Sequence, residues 1–234
     1  MMRKLLAILL LLQFLPLVAQ EHVLRYSTAL ELYLKPYNAQ TDRLLEQGEF
    51  DMAKDRFDTL VKNHLQYSYM DTFSFERLNG DFTSTSQFSK PTILMTYASW
   101  CIPREGEIPA INKWADRYGD LIDIVVLFWD TKEDAKAASK GFSKDVHVVY
   151  VDETINGHMN TVKQLKHSLG ISLSFVMAAD GKILDINRRP PNKLDKSFLE
   201  GMENSVAFIS SQVASIYLDL NLNPEELTES LATF

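Results

Sequence analysis

The sequence contains a single cysteine, Cys101, among 234 residues. A lone cysteine excludes an intrachain disulfide and any zinc site built from several thiolates, so we expect the fold to be stabilised by its hydrophobic core. Glycine is also scarce: nine are present, and none stands in a GxGxxG or GxxxxGK phosphate-binding arrangement. The five histidines show no metal-ligand spacing. We therefore predict neither a metal nor a nucleotide cofactor.

Long apolar runs are equally scarce, and the most apolar one opens the chain. Arg3 and Lys4 precede apolar residues 5–12, and residues 16–19 are typical of a cleavage region, as in a secretory signal peptide. The run is broken by a glutamine and a proline, whereas a transmembrane helix needs about 20 apolar residues. We expect residues 1–19 to be a signal peptide and the mature protein to be exported, periplasmic or secreted, with no stable membrane insertion.

Basic residues are outnumbered, with 24 lysines and arginines against 31 aspartates and glutamates, a net charge of −7. Loss of residues 1–19 removes Arg3 and Lys4 and no acidic residue, so the mature charge becomes −9. An acidic surface disfavours a nucleic acid partner.

The apolar pattern divides the chain into parts. Residues 37–65 carry apolar side chains at helical spacing on either side of Gly48, which predicts two short helices. They faintly resemble half a tetratricopeptide repeat, but one hairpin cannot form a solenoid, so we favour a helical cap on the main domain. Asn223 and Pro224 predict the start of a terminal helix. The predicted parts are a signal peptide (1–19), a helical extension (20–70), a main domain (71–212) and a C-terminal helical tail (213–234).

Strands and helices alternate in the main domain. Strands are predicted at 92–99, 121–129, 146–151, 171–177 and 183–187, and helices at 104–118, 132–140, 160–167 and about 196–213. The Asp180–Gly181 turn predicts a hairpin between the last two strands. Parallel strands joined by crossover helices and followed by this hairpin indicate an α/β fold with a mixed sheet flanked by helices.

One segment combines a strand end with a reactive residue type. Ser99, Trp100 and Cys101 close the first of these strands, and Arg104 is predicted to open the next helix. Unpaired amide groups at a helix start favour a thiolate, so Cys101 is the candidate nucleophile.

Residues 90–112, KPTILMTYASWCIPREGEIPAIN, resemble the active-site segment of exported thiol-disulfide oxidoreductases of the TlpA and ResA type, whose pattern is WCxxCxxExP. Trp100 and Cys101 match the tryptophan and first cysteine of that pattern, and Glu107 and Pro109 match its glutamate and proline. The resemblance implies a thioredoxin-like fold, with a strand-turn-strand before the motif.

The resemblance covers about residues 71–210 and has two departures. Arg104 stands at the second-cysteine position, giving CxxR. No proline lies between Pro109 and Pro190, so the cis-proline that this family places opposite its cysteine is missing. The matching position falls near Ser172, where we expect a trans bond, because a cis bond before a residue other than proline costs about 2.5 to 4 kcal/mol. We therefore expect an altered substrate groove.

The residues of the motif have alternative roles. Arg104 either favours the Cys101 thiolate by its charge or pairs with Glu107 one helical turn on. Trp100 either packs in the core or forms a rim beside the thiol. Glu107 is either a solvated helix residue or, as the resemblance implies, a proton-handling group beneath the cysteine.

These residues support three hypotheses of function. The first is altered, single-cysteine thiol-disulfide chemistry on exported protein thiols or disulfides through Cys101, with no bound cofactor and with an external thiol resolving the mixed disulfide. The second is a redox-inactive thioredoxin-fold module that binds a protein partner. The third is a disulfide-linked dimer through Cys101.

Overall fold

The computed structural model describes residues 23–101, 103, 105–189 and 197–221. The predicted signal peptide, Arg104 and the predicted helix at Asn223 lie outside these residues. The strands are β1 (Ser74–Arg77), β2 (Phe82–Ser84), β3 (Thr92–Tyr97), β4 (Asp123–Phe128), β5 (His147–Tyr150), β6 (Leu173–Met177) and β7 (Ile183–Arg188). The helices are α1 (Tyr26–Glu46), α2 (Phe50–Leu60), α3 (Glu107–Tyr118), α4 (Lys132–Ala138), α5 (Met159–Thr161) and α6 (Phe198–Asp219), with π-helical turns extending α2 over Val61–Leu65 and α5 over Val162–His167.

All seven strands form one mixed sheet in the order β2-β1-β5-β4-β3-β6-β7. The central strands β3, β4 and β5 are parallel, while β1, β6 and β7 pair antiparallel with their neighbours. All six residues of β3 are buried, as expected for a strand covered on both faces. The structure confirms the predicted α/β fold, a mixed sheet flanked by helices, with an N-terminal helical extension.

The alternation of side chains along β3 divides the core between the two faces of the sheet. Leu94 belongs to a buried cluster that includes Tyr26 of α1 and Phe57 of α2. Ile93 belongs to the opposite cluster, which includes Trp114 of α3. The helical extension therefore covers one face of the sheet, and α3 with α6 covers the other.

The extension contains the two predicted helices joined at Gly48, whose φ is 78°. However, α1 begins at Tyr26, eleven residues before the predicted start. Pro36 lies inside it, and a proline usually marks a helix boundary, which is why the sequence pattern was misleading there. The helix continues through Pro36 because its first turns bury Tyr26 and Leu30 against the sheet.

Residues 67–70, which we call the edge segment, lie along the start of β7. Tyr67 N donates to Ile183 O at 2.7 Å, and Ile183 N donates to Ser68 O at 2.8 Å. Met70 N donates to Gly181 O at 2.9 Å. The segment that leaves the helical extension therefore pairs with the outer strand of the hairpin before entering β1.

Two further helix boundaries differ from the sequence prediction by three residues or more. Residues 105 and 106 form a turn, so α3 begins at Glu107, three residues later than predicted. The last helix, predicted to end at residue 213, continues to Asp219 because Ile216 and Tyr217 extend its buried stripe. The start predicted near residue 196 lies outside the described residues, and the strand-turn-strand implied by the resemblance is confirmed as β1 and β2.

The turn before α3 is fixed by a close contact with α6. Gly106 has a φ of 80°, a left-handed conformation that favours glycine. A Cβ atom placed there would lie 2.7 Å from the backbone nitrogen of Met202. Glycine at this position therefore satisfies both the turn and the approach of the two helices.

Buried tyrosines predict a loss of stability in alkali. Burial is the main cause that raises the pKa of Tyr26 in α1 and of Tyr97 in β3. Because only the unfolded state ionises near pH 10, their contribution is complete below pH 10 and is lost as the pH rises further. We expect the free energy of unfolding to fall above pH 10 by up to about 1.4 kcal/mol per pH unit for each tyrosine.

Urea unfolding between pH 8 and 11.5 measures this slope. The Tyr26→Phe variant should show a shallower alkaline slope than the wild type. Tyr67→Phe is the matched control, since Tyr67 is 63% exposed. Equal slopes in the two variants would contradict the assignment to buried tyrosine.

Candidate functional site

Cys101 lies in the loop that follows β3, at the carboxyl edge of the parallel strands. Its backbone N–H donates to Ala98 O at 2.8 Å, which closes a turn at the strand end. Ser99 is tied to the loop after β4, because its N–H and its hydroxyl donate to the two carboxylate oxygens of Asp130 at 2.7 and 2.6 Å. The thiol is half-buried. Two neighbouring strand ends therefore fix the loop that presents this sulfur.

The environment of Cys101 differs from the predicted helix start. The first residue of α3 is Glu107, six positions after Cys101, so Cys101 lies in the preceding loop and not in the first turn of the helix. Arg104 lies outside the described residues, and both of its suggested roles stay predictions.

Trp100 is exposed beside the thiol. Its side chain is 66% accessible, so the core-packing interpretation of this residue is wrong. A large apolar side chain in solvent next to Cys101 is available for contact with another molecule.

Ser172 faces the cysteine from the loop before β6. Its hydroxyl lies 3.9 Å from Cys101 Sγ, with the hydroxyl as donor. No cis peptide bond occurs among the described residues, which confirms the trans bond expected near Ser172. Instead, Ser172 has a φ of 65°, an unfavourable left-handed conformation for a residue with a side chain.

Hydrogen bonds on both sides hold this loop in place. The hydroxyl of Thr96 in β3 accepts from Leu173 N at 2.9 Å, directly after Ser172. Across the hairpin, Arg189 N donates to Ser172 O at 2.9 Å. Hydrogen bonds on both sides therefore hold Ser172 in its left-handed conformation, as is common for strained residues at functional sites.

Glu107 is buried rather than solvated. Its side chain is 9% exposed, and its Oε1 accepts from the Tyr97 hydroxyl at 2.8 Å and from Arg189 Nη1 at 2.5 Å. The interpretation of Glu107 as a solvated helix residue is therefore wrong. Burial raises the pKa of Tyr97 well above its usual value, with Arg189 opposing and Glu107 adding to the shift, so Tyr97 donates as a neutral phenol.

Arg189 is the residue that the sequence analysis missed. Its guanidinium is 9% exposed and stands 3.8 Å from the centre of the Tyr97 ring. Its Nη2 reaches the Ser172 hydroxyl at 3.4 Å while Nη1 pairs with Glu107. Burial lowers the pKa of Arg189, but Tyr97 and Glu107 outweigh burial and the pKa is raised, so the group stays charged.

The sequence carried only part of the signal for Arg189. The Asp180–Gly181 turn was predicted correctly, and β6 and β7 pair around it as an antiparallel hairpin. The turn alone does not set the register at Arg189, because a β-bulge between Val176 and Met177 shifts the pairing before Leu173 meets Arg188. The hairpin therefore brings the positive charge to the position facing the cysteine.

No group of three or more histidine, cysteine, aspartate or glutamate residues that could hold a metal ion occurs within the described ranges. Among the same residues, no helix is both long enough and apolar enough to span a bilayer.

No family model and no curated protein matches this chain. Solved structures similar to it include a Chlorobium tepidum protein assigned as thiol:disulfide interchange protein DsbE, at 19% identity over 64% of this chain and 97% of that chain, with a TM-score of 0.48. The thioredoxin domain of a Bacteroides vulgatus thiol-disulfide oxidoreductase is 16% identical over 62% and 96%, with a TM-score of 0.47. Bacillus subtilis StoA is 19% identical over 58% and 96%, with a TM-score of 0.40.

Proposed function

We propose that this chain carries out single-cysteine thiol-disulfide exchange on exported protein partners through Cys101. The Cys101 thiolate attacks one sulfur of a partner disulfide, forms a mixed disulfide and releases the other partner sulfur as a thiolate. An external thiolate then attacks the mixed disulfide, which returns Cys101 as a thiolate and leaves the external thiol joined to the partner. The electrons balance without a bound cofactor.

The observation that carries the proposal is the placement of Cys101 Sγ opposite the Ser172 hydroxyl at 3.9 Å, at a sheet edge where the thiol is half-buried. A cysteine that served only as a small core residue would need neither a hydroxyl donor nor contact with solvent. The exposed indole of Trp100 gives a partner an apolar surface beside the sulfur.

Persistence of the mixed disulfide is the main consequence of the CxxR motif. With Arg104 at the second-cysteine position and one cysteine in the sequence, no second thiol of this chain can displace the bound partner. Release therefore depends on a thiol from solvent or from another protein.

The test is recovery of mixed disulfides from the exported fraction of cells that make the full chain. We expect wild-type protein to yield reducible adducts on non-reducing electrophoresis, with partner peptides joined to Cys101 identified by mass spectrometry. The Cys101→Ser variant is the control and should yield none. In a separate assay, we expect insulin-disulfide reduction by the wild type to be no faster than by this control.

A redox-inactive binding module is the second candidate, and the trans, left-handed Ser172 favours it because it replaces the cis-proline that the resembled family places opposite its cysteine. Full biological activity of Cys101→Ala, together with an absence of adducts in the wild type, would establish the binding module instead. An adduct containing two copies of this chain would indicate the disulfide-linked dimer.

A further inference from the structure

We infer that Ser172 donates a hydrogen bond to the reacting sulfur of Cys101, and that Arg189 is a positioning residue that orients this hydroxyl and stabilises the thiolate. The inference rests on the proposed function and adds two residues to its site. It also gives Glu107 a role opposite to that of a proton-handling group: its carboxylate moderates the charge of Arg189.

The direction of the hydrogen bonds follows from the donors present. A guanidinium has five donors and no acceptor, so the contact of 3.4 Å between Arg189 Nη2 and the Ser172 hydroxyl must use a lone pair of that oxygen. The single proton of the hydroxyl is then available for Cys101 Sγ at 3.9 Å. Arg189 thus directs the serine proton towards the sulfur.

The backbone reinforces this direction. Ser172 occupies a left-handed conformation with a φ of 65°, which costs free energy for any residue with a side chain. The backbone bond from Arg189 N to Ser172 O, 2.9 Å long, links the same two residues a second time. The relative positions of hydroxyl and guanidinium are therefore fixed by the hairpin and not by their side chains alone.

The charge balance around Arg189 determines whether each variant reacts faster or slower than the wild type. Arg189 is shared between the Glu107 carboxylate and the Ser172 hydroxyl, and its Nε has no hydrogen-bond partner among the described residues. Removing the negative charge of Glu107 leaves more of the guanidinium field to act on the sulfur. Glu107→Gln keeps an oxygen that can accept from Arg189 and Tyr97, so this change removes charge with little change in shape.

The experiment measures the rate at which purified full-length protein reacts with glutathione disulfide at pH 7, followed by mass spectrometry of the glutathione adduct. We expect Ser172→Ala and Ser172→Gly each to lower the rate about three- to tenfold, the range for loss of one hydrogen bond. Ser211→Ala is the control, because within the described part of the chain this hydroxyl bonds to Phe208 O of its own helix, α6, and to no residue of the site. Glu107→Gln should raise the rate.

Two further measurements separate charge from structure. Glycine accepts the left-handed backbone, so Ser172→Gly retains the loop and tests the hydroxyl alone. At pH 10, where an ordinary thiol is ionised without help, the Ser172 variants should no longer be slower than the wild type. The double variant Arg189→Met with Glu107→Gln removes both charges of the buried pair. It should react with glutathione disulfide about as slowly as Ser172→Ala does.

A wild-type rate in both Ser172 variants would overturn the inference, and a slower rate in Glu107→Gln would overturn its electrostatic part in favour of proton handling. Partner adducts from the exported fraction test the proposed function independently of these rates. If partner adducts form but the Ser172 variants react at the wild-type rate, the proposed function is supported and the inference is contradicted. The expected rate changes without adducts would support the Ser172 and Arg189 roles and reject the partner chemistry.

Discussion

Gly106→Ala is expected to lower the free energy of unfolding by about 3 kcal/mol. A left-handed conformation costs a residue with a side chain roughly 1 to 2 kcal/mol, and an atom forced into a packed contact costs about 1 to 3 kcal/mol. Here the new Cβ would lie 2.7 to 2.8 Å from backbone and Cβ atoms of Met202, so a helix backbone has to move. Rotation of the Met202 side chain alone cannot relieve this contact, because the close atoms are its backbone nitrogen, Cα and Cβ.

Gly48→Ala is the matched control for Gly106→Ala. Gly48 has a φ of 78°, close to the 80° of Gly106, but nothing lies within 4 Å of its added Cβ. Urea unfolding should therefore give Gly48→Ala only the conformational cost, roughly 1 kcal/mol. The excess in Gly106→Ala measures the contact between the α3 turn and α6. If the two variants were equally stable, this contact would be unimportant.

Arg189→Met is expected to lower the free energy of unfolding by about 3 to 5 kcal/mol, because removing one partner of a buried ion pair leaves the other charge in the interior. Both side chains of the pair with Glu107 are 9% exposed, so solvent screens little of this cost. The hydroxyl of Tyr97 still donates to the carboxylate but cannot replace a positive charge.

The double variant Arg189→Met with Glu107→Gln should recover most of the lost stability. A neutral pair of similar volume avoids the buried charge, and such replacements are often close to neutral. A double-mutant cycle from urea unfolding of the wild type, the two single variants and the double variant measures the coupling. Additive effects would mean that Arg189 and Glu107 do not stabilise each other.

The sequence was informative about features that neighbouring residues determine. The strand before Cys101, the turn at Asp180–Gly181 and the alternation of elements all follow from neighbouring residues, and each was predicted close to its observed position. Trp100 was left open between core and rim, because local pattern does not determine exposure.

Contacts between distant segments account for most of what the sequence left out. Glu107 is buried and pairs with Arg189, which lies 82 positions further on in the chain. The start of α3 is set by Met202 of α6, which no pattern around Gly106 indicates. Arg189 was missed because the register of the hairpin depends on a β-bulge between Val176 and Met177, which the Asp180–Gly181 turn does not indicate.

The edge segment, residues 67–70, has a consequence for self-association. An open strand edge offers unpaired N–H and C=O groups that template pairing with another chain. By bonding to Ile183 and Gly181, the segment occupies such groups at the start of β7. A chain shortened to begin after residue 70 would present this edge of the hairpin to other molecules, together with the apolar sheet face that α1 and α2 now cover, and would be prone to aggregate through its strands.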